Sequence, residues 1–318
     1  MQIIQELPSD PGHQCVLALG NFDGVHLGHQ RLLKSGLEQA AQKGVDLAVL
    51  LFEPHPLKLL FPERVLGFLT TQKEQMRLFS EIGVDRVYLV PFTKEMADTS
   101  PEGFVRDILV KLGVIHIVVG FNYSFGALGK GTAEDLQRYG QDYGFGVSVL
   151  QPQTFEGKVI SSTAVRKALL NGDAVQAKKL LGRTYKLVGT VVEGERRGHD
   201  LGYPTANLRI YEELIIPKRG VYAVWAEIEG RLVHGMMNIG MKPTFHEEYA
   251  LTVEIHFFDF SGDLYGMELA ICCEEKIRDE RKFNGFDELK GQLERDALKT
   301  KQVLEEIFGN PVQAVNAH

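Results

Sequence analysis

Over its first 150 residues the chain alternates short apolar runs with amphipathic stretches, and that rhythm admits few folds. The runs cover residues 16–19, 47–52, 86–90, 116–119 and 146–150, each the length of a strand buried on both faces. Between them the spacing predicts helices over 28–43, 72–82, 100–112 and 133–143. The third opens on Ser100 as N-cap with Pro101 at the first helical position, followed by apolar Phe104, Val105, Ile108 and Leu109. Strands alternating with such helices predict a mainly parallel, doubly wound α/β sheet.

The rhythm then changes. Residues 160–181 read as two short helices separated by Asn171-Gly172-Asp173, and Gly182-Arg183-Thr184 reads as the exit from the first domain. Beyond it, strand patterns at 185–192, 220–228, 231–239, 250–258 and 269–277 are joined by turns rich in Gly, Pro and Asp, which predicts a small antiparallel β-barrel. A terminal helix is expected over 285–308, with Leu289, Leu293, Leu298, Val303 and Ile307 as its apolar stripe. The boundary divides the 318 residues into domains 1–183 and 184–318, each large enough for its own core.

Charge follows the same seam. In residues 1–183, 19 Lys and Arg balance 19 Asp and Glu, whereas 184–318 carry 16 against 23, the whole of the net charge of −7. Such a balance argues against nucleic acid as a partner. The sequence contains no apolar run of spanning length and no signal-peptide pattern, so no membrane association is expected. Three cysteines, Cys15, Cys272 and Cys273, make no disulfide framework or metal spacing, in keeping with a reduced, cytoplasmic protein.

Two constellations carry chemistry. The segment Gly20-Asn21-Phe22-Asp23-Gly24-Val25-His26-Leu27-Gly28-His29 follows the first predicted strand and opens the first helix, the phosphate-binding position of a doubly wound fold. Three residues apart on one helical turn, His26 and His29 can point at the same phosphate and donate to oxygens that gain charge in a transition state. Neither GxGxxG nor GxxxxGK[ST] is present; HxGH after a first strand resembles the nucleotidylyltransferase superfamily. Farther on, Ser161, Ser162 and Thr163 with Arg166 suit contacts to β- and γ-phosphates, although hydroxyls ahead of a helix serve equally as caps. Phe52-Glu53-Pro54-His55-Pro56 and the loop Gly120-Phe121-Asn122-Tyr123 leave strand ends, where aromatic rings either stack on a flat heterocycle or plug a loop.

In the second half, residues 189–207 place Gly189, Gly194, Gly198 and Gly202 in a strand–loop–strand that ends on Pro204-Thr205-Ala206-Asn207. Gly194 and Gly198 suit a loop wrapping phosphates, and the oxygens of Thr205 and Asn207 are hard donors compatible with Mg²⁺. In Val253-Glu254-Ile255-His256-Phe257, alternation puts Glu254 and His256 on one face. There the Glu254 carboxylate either accepts a hydroxyl proton or faces solvent from a half-exposed strand.

Taken together, GNFDGVHLGH, FEPHP, GFNYSFG, ISSTAVR, LLGRTY, LGYPTANL, NIGMKPTF, VEIHFFDF and IRDERKF resemble the bifunctional riboflavin kinase/FAD synthetases of bacteria over essentially the whole chain. The resemblance implies an N-terminal FMN adenylyltransferase and a C-terminal riboflavin kinase, with riboflavin, FMN, FAD and ATP as ligands and Mg²⁺ as cofactor. In the first domain it implies ATP contacts by Gly20, Asn21, Phe22, Asp23, His26, His29, Ser162, Thr163 and Arg166. Flavin contacts there fall to Phe52, His55, Pro56, Asn122 and Tyr123, with Asn122 placing the attacking flavin phosphate. In the second it implies nucleotide contacts by Gly194, Gly198, Thr205 and Asn207, metal held by the last two, Glu254 as base, and a flavin-side flap containing Arg278, Arg281 and Phe283. Two positions depart from the family pattern: Asn122 stands where many members have an acidic residue, and His199 where Arg is common. The expected assembly is a monomer or weak homo-oligomer. Competing readings are an adenylyltransferase for another phosphorylated metabolite and a flavin carrier without chemistry.

Overall fold

The computed structural model describes residues 1–8, 13–63, 67–194, 202–211, 213–243 and 249–309. They form two compact units, one of Met1–Leu66 with Thr70–Ser162 and one of Gly67–Leu69 with Thr163–His318.

The first unit is built on a six-stranded sheet. Its strands are β1 (Gln2–Ile4), β2 (Cys15–Leu19), β3 (Asp46–Glu53), β4 (Arg86–Pro91), β5 (Val114–Gly120) and β8 (Gly146–Leu150), paired in parallel in the order β1-β4-β3-β2-β5-β8. Two short hairpins, β6 (Ser124–Phe125) with β7 (Gly131–Thr132) and β9 (Thr154–Phe155) with β10 (Lys158–Val159), lie in the connections. Every residue of β2 is buried, and its alternation feeds two cores. Cys15, Leu17 and Leu19 face one side with Phe104, Leu109 and Leu136; Val16 and Ala18 face the other with Leu33, Val49 and Phe79. Each fully buried Leu or Val there contributes about 1.5–3 kcal/mol. The second core is roofed by α1 (Leu27–Lys43) and α3 (Gln72–Ile82), the first by α5 (Pro101–Phe104) and α6 (Ala133–Tyr143). Short helices α2 (Pro56–Leu60) and α4 (Lys94–Ala97) complete the unit.

Three details depart from the sequence expectation. Edge strand β1 was not foreseen, being three residues long with an exposed Ile3. Strand β8 sits at the other edge and is only half-buried, because no strand among the described residues covers its far side. The helix expected over 100–112 begins as read, with the Ser100 hydroxyl accepting from Gly103 N–H, but widens into a π-turn over Val105–Leu109. That wider turn keeps Phe104, Val105, Ile108 and Leu109 all buried.

The second unit starts with helices α7 (Ser162–Leu170) and α8 (Ala174–Leu181), counting all of α7 but its first residue. A closed six-stranded antiparallel barrel follows, ordered β11-β12-β15-β14-β13-β16. Its strands are β11 (Tyr185–Val192), β12 (Ala206–Ile210), β13 (Gly220–Ile228), β14 (Arg231–Pro243), β15 (Tyr249–Phe257) and β16 (Glu268–Arg278). Inward residues such as Leu187, Tyr222, Met237, Ile239, Ile255 and Ile271 are fully buried. The terminal helix α9 (Phe286–Phe308) packs on the outside, where Val303 and Leu304 meet Ala223. Its buried face is not the expected stripe: Leu298 and Ile307 are exposed, while Asp296 and Thr300 are buried. Asp296 is admitted because Arg278 of β16 engages both its carboxylate oxygens from Nε at 3.0 and 2.9 Å and Nη2 at 2.8 Å. The three cysteines are buried and form no disulfide.

A second buried carboxylate ties α8 to the barrel. Glu274 on β16, 2% exposed, accepts from Lys178 Nζ (2.6 Å), Thr184 Oγ1 (2.8 Å) and Trp225 Nε1 (2.7 Å). Replacing Glu274 by Leu strands the Thr184 and Trp225 donors and is expected to destabilise this unit by about 2–6 kcal/mol, at about 1–3 kcal/mol per unsatisfied buried group. The chain's single tryptophan is Trp225, so its fluorescence during urea unfolding reports that loss directly. An unchanged midpoint would show that the three contacts contribute nothing net.

Candidate active sites

In the first unit the strand order reverses at β2, which lies between β3 and β5, so a crevice opens beyond the carboxyl ends of β2 and β5. The loop after β2 enters it on a strained path: Phe22 (φ 50°), Gly24 (φ 79°) and Val25 (φ 36°) all have left-handed backbones. For β-branched Val25 this is a costly conformation, and it persists because partners distant in sequence hold the loop. Gln75 of α3 donates to the Asn21 and Phe22 carbonyls (3.3 and 3.1 Å), Thr70 Oγ1 accepts from Gly24 N–H (3.2 Å), and Ser162 Oγ donates to the Asp23 carbonyl (2.9 Å). Gln30 adds a bond to the Val25 carbonyl at 3.0 Å.

The loop delivers His26 as the N-cap of α1, its Nδ1 accepting from the backbone N–H of His29 at 3.3 Å. A neutral His26 ring therefore carries its proton on Nε2. The two imidazoles stack, centroids 3.7 Å apart and planes 16° from parallel. Gly28 makes the stack possible, since a Cβ there would lie 3.1 Å from His26 Cε1. Phe22 packs on the His29 ring at 5.2 Å and edge-on to Phe79 at 5.5 Å. Burial and the adjacent His26 hold the His29 pKa well below 6.5, so this ring is neutral, and its buried Nδ1 meets no partner within the described residues. The first turn of α1 carries no acidic residue. The N-terminus of α1, an imidazole nitrogen without a partner among the described residues and the helix dipole suit an anion with several oxygens.

The other first-unit candidates are placed less uniformly. Gly20 and exposed Asn21 open the loop, and Asp23 is buried in it. Beyond β5, Phe121 and Asn122 are exposed and Tyr123 stacks on Phe125 at 6.0 Å. Phe52 is half-buried against Phe92 and Phe104. His55 Nδ1 accepts from Leu57 N–H at 3.2 Å and so caps α2, with Pro56 in its first turn. Thr163 is exposed, and Arg166 donates from Nε to the Gly67 carbonyl at 2.8 Å, both within the second unit.

In the barrel, register assembles the second site. Asn207 of β12 and Asn238 of β14 both lie directly opposite Glu254 of β15, so two carboxamides flank one carboxylate on one face. That face is the outer one: its neighbour Met236 clusters with Val221, Leu293 and Ala297 beneath α9. Gly194 is required next to it, because a Cβ there would overlap the Asn207 carboxamide. Thr205 is half-buried two residues before Asn207. Gly198 and His199 lie outside the described residues. Arg278 is engaged by Asp296, and Arg278 and Arg281 sit over the Phe283 ring at 5.6 and 4.7 Å. Sequence reasoning missed Thr70, Gln75, Asn238 and Asp296 as site residues; of these only Asn238 lies in a quoted motif, NIGMKPTF, and nothing local in that motif tied it to Glu254.

Comparison with known proteins assigns a family to each half of the chain. The family model for FAD synthetase matches residues 9–164, and that for riboflavin kinase matches residues 181–304. A bifunctional riboflavin kinase/FMN adenylyltransferase of Listeria monocytogenes is 42% identical, covering 90% of this chain and 91% of that protein. Its counterpart from Bacillus subtilis is 39% identical, covering 88% and 90%. A solved structure from Streptococcus pneumoniae, described as a macrolide-efflux protein, is 33% identical with a TM-score of 0.86, covering 95% of this chain and 99% of that one. Among the described residues of this chain, no helix is long and apolar enough to cross a membrane. On sequence identity over nearly its full length, the chain belongs to the family of bifunctional riboflavin kinase/FMN adenylyltransferases.

Proposed function

We propose that the chain performs two successive ATP-dependent steps: riboflavin and ATP give FMN and ADP in the barrel, and FMN and a second ATP give FAD and pyrophosphate in the parallel-sheet unit. One observation carries this reading: each of the two family matches, 9–164 and 181–304, contains one constellation of its own, the His26–His29 stack in the first and the Asn207–Glu254 pair in the second.

In the kinase step Glu254 accepts the proton of the ribityl 5′-hydroxyl as its oxygen attacks the γ-phosphorus, and ADP leaves. The donor set beside it is made of hard oxygens, Thr205 Oγ1 and the Asn207 carboxamide, which fits Mg²⁺ bound together with nucleotide phosphates. No group of three or more His, Cys, Asp or Glu side chains is gathered for a metal among the described residues, and a metal carried largely by phosphates needs none. When bound, Mg²⁺ neutralises charge on the phosphates. Gly194 and Gly198 are assigned to the nucleotide side, and Arg278, Arg281 and Phe283 form the flavin side.

In the adenylyl step a phosphate oxygen of FMN attacks the α-phosphorus of ATP and pyrophosphate leaves. His26 and His29 donate N–H bonds to the phosphate oxygens, with Gly20, Asn21, Phe22 and Asp23 shaping the cradle. Ser162, Thr163 and Arg166 form the second phosphate clamp, and Phe52, His55, Pro56, Asn122 and Tyr123 receive the flavin. The functional seam in this reading falls at 183/184. A cytoplasmic monomer or weak homo-oligomer, acting on small molecules and on neither nucleic acid nor membrane, completes it.

A time course with labelled riboflavin, ATP and Mg²⁺ tests the whole. FMN is expected to appear first with ADP, then FAD with pyrophosphate. Formation of neither product would refute the assignment, and FMN without FAD would leave the first unit a binding module.

A further inference from the structure

Two residues along β15 from Glu254, His256 shares its outer face and is half-buried there. Its Nδ1 lies 2.9 Å from the carbonyl oxygen of Pro204. A carbonyl only accepts, so Nδ1 carries the proton and the ring donates it. Aromatic edges fix the ring, Tyr203 at 5.0 Å and Phe258 at 5.6 Å, both close to perpendicular.

The bond falls where the sheet stops supporting its own strand. Backbone pairing of β12 with β15 comprises Asn207 with Glu254 and Ala206 with Ile255. Continued by one residue, that register sets Thr205 opposite His256. The ladder ends there, however, and the preceding Pro204 has no N–H with which to extend it. The imidazole thus supplies from a side chain the bond that the backbone does not make, at the carbonyl joined directly to Thr205. Without it, Thr205 would hang from the last ladder pair on a chain free to turn about Pro204.

We propose that His256 is a positioning residue of the kinase site: by donating to the Pro204 carbonyl it holds Thr205, and with it the metal–nucleotide end, in register with Glu254. This inference rests on the kinase reading above and deepens it.

The test uses the full chain with three variants: H256N, whose amide nitrogen takes the place of Nδ1; H256L, of similar size and shape to H256N but without a donor; and H256F, which keeps a ring but no N–H. Binding of MgADP by calorimetry is the primary readout, alongside KM for MgATP and for riboflavin, the Trp225 urea midpoint, and FMN adenylylation as an internal control. H256L and H256F are expected to weaken MgADP binding and raise KM for MgATP by about tenfold, equivalent to about 1.4 kcal/mol. KM for riboflavin and adenylylation should stay within about twofold of the wild type, and the midpoint should be unchanged. H256N should recover most of the nucleotide affinity. Equal MgADP binding by H256L and H256N overturns the proposal, as does a parallel loss for both substrates with a lowered midpoint that H256N does not restore. Should H256F fail to fold, the H256N–H256L comparison decides alone. A wild-type chain that makes no FMN instead refutes the kinase reading itself, so the two failures are distinguishable.

Discussion

Replacing Glu254 by Gln is expected to slow riboflavin phosphorylation by about 10²–10⁴-fold, the range associated with loss of a positioned general base. Gln matches the shape of Glu and keeps a polar tip between Asn207 and Asn238, its two cross-strand neighbours, so the strand and its register should survive. The lost property is the capacity to accept a proton from the attacking hydroxyl. KM for MgATP is therefore expected to change little while kcat falls, because in the proposed reading the nucleotide contacts come from the neighbouring Thr205 and Asn207. Conversion of supplied FMN to FAD by the same chain should persist, since its chemistry resides in the other family match, residues 9–164. ADP formation with riboflavin and pyrophosphate formation with FMN, measured on one preparation, check both halves. A variant that phosphorylates at wild-type rate would remove Glu254 from the chemistry, and a joint loss of both activities would contradict two separate sites.

What the sequence made legible follows from where the information is local. Strand β2 could be read because every residue is buried, leaving a short unbroken apolar run, and the His26–His29 pair because three residues on a helical turn must share a face. Alternation likewise put Glu254 and His256 together. Its flanking carboxamides were only half visible: Asn207 and Asn238 both lay in quoted motifs, but Asn238 becomes a neighbour of Glu254 solely through the pairing of β14 with β15. The loop supports were hidden for the same reason, Gln75 and Thr70 being more than 40 residues from the carbonyls and amide they bind. Periodicity located the last helix and two of its packed residues, Leu293 and Val303, but not its whole buried face. A buried Asp296 reads as a solvent-facing residue until Arg278 is known to meet it, and the stripe was drawn through exposed Leu298 instead. His55, expected at a flavin, shows a second ambiguity: a nitrogen at a strand end caps a helix as readily as it binds a ligand.

His29→Ala is expected to lower adenylylation of FMN by about 10²–10³-fold, the usual consequence of removing one donor aimed at developing transition-state charge. The ring is unusually well placed for that role. It is neutral, stacked on His26, pressed by Phe22, and presents a buried nitrogen that no group among the described residues satisfies. A donor held this way needs no reorganisation as pyrophosphate departs. Alanine leaves the backbone N–H that His26 caps, so α1 itself should persist and phosphorylation of riboflavin should be untouched. The substitution carries a second, independent signature. Since the folded pKa of His29 lies below the ordinary 6.5, the unfolded chain takes up its proton first as pH falls. Stability of the wild-type unit is thus fully present above that value and declines as the pH drops below it. His29→Ala should flatten this decline while destroying activity, whereas a residue that served packing alone would cost stability at every pH and leave the rate of pyrophosphate release near that of the wild type. Measuring FAD formation and the acid limb of thermal unfolding on the same variant separates the two.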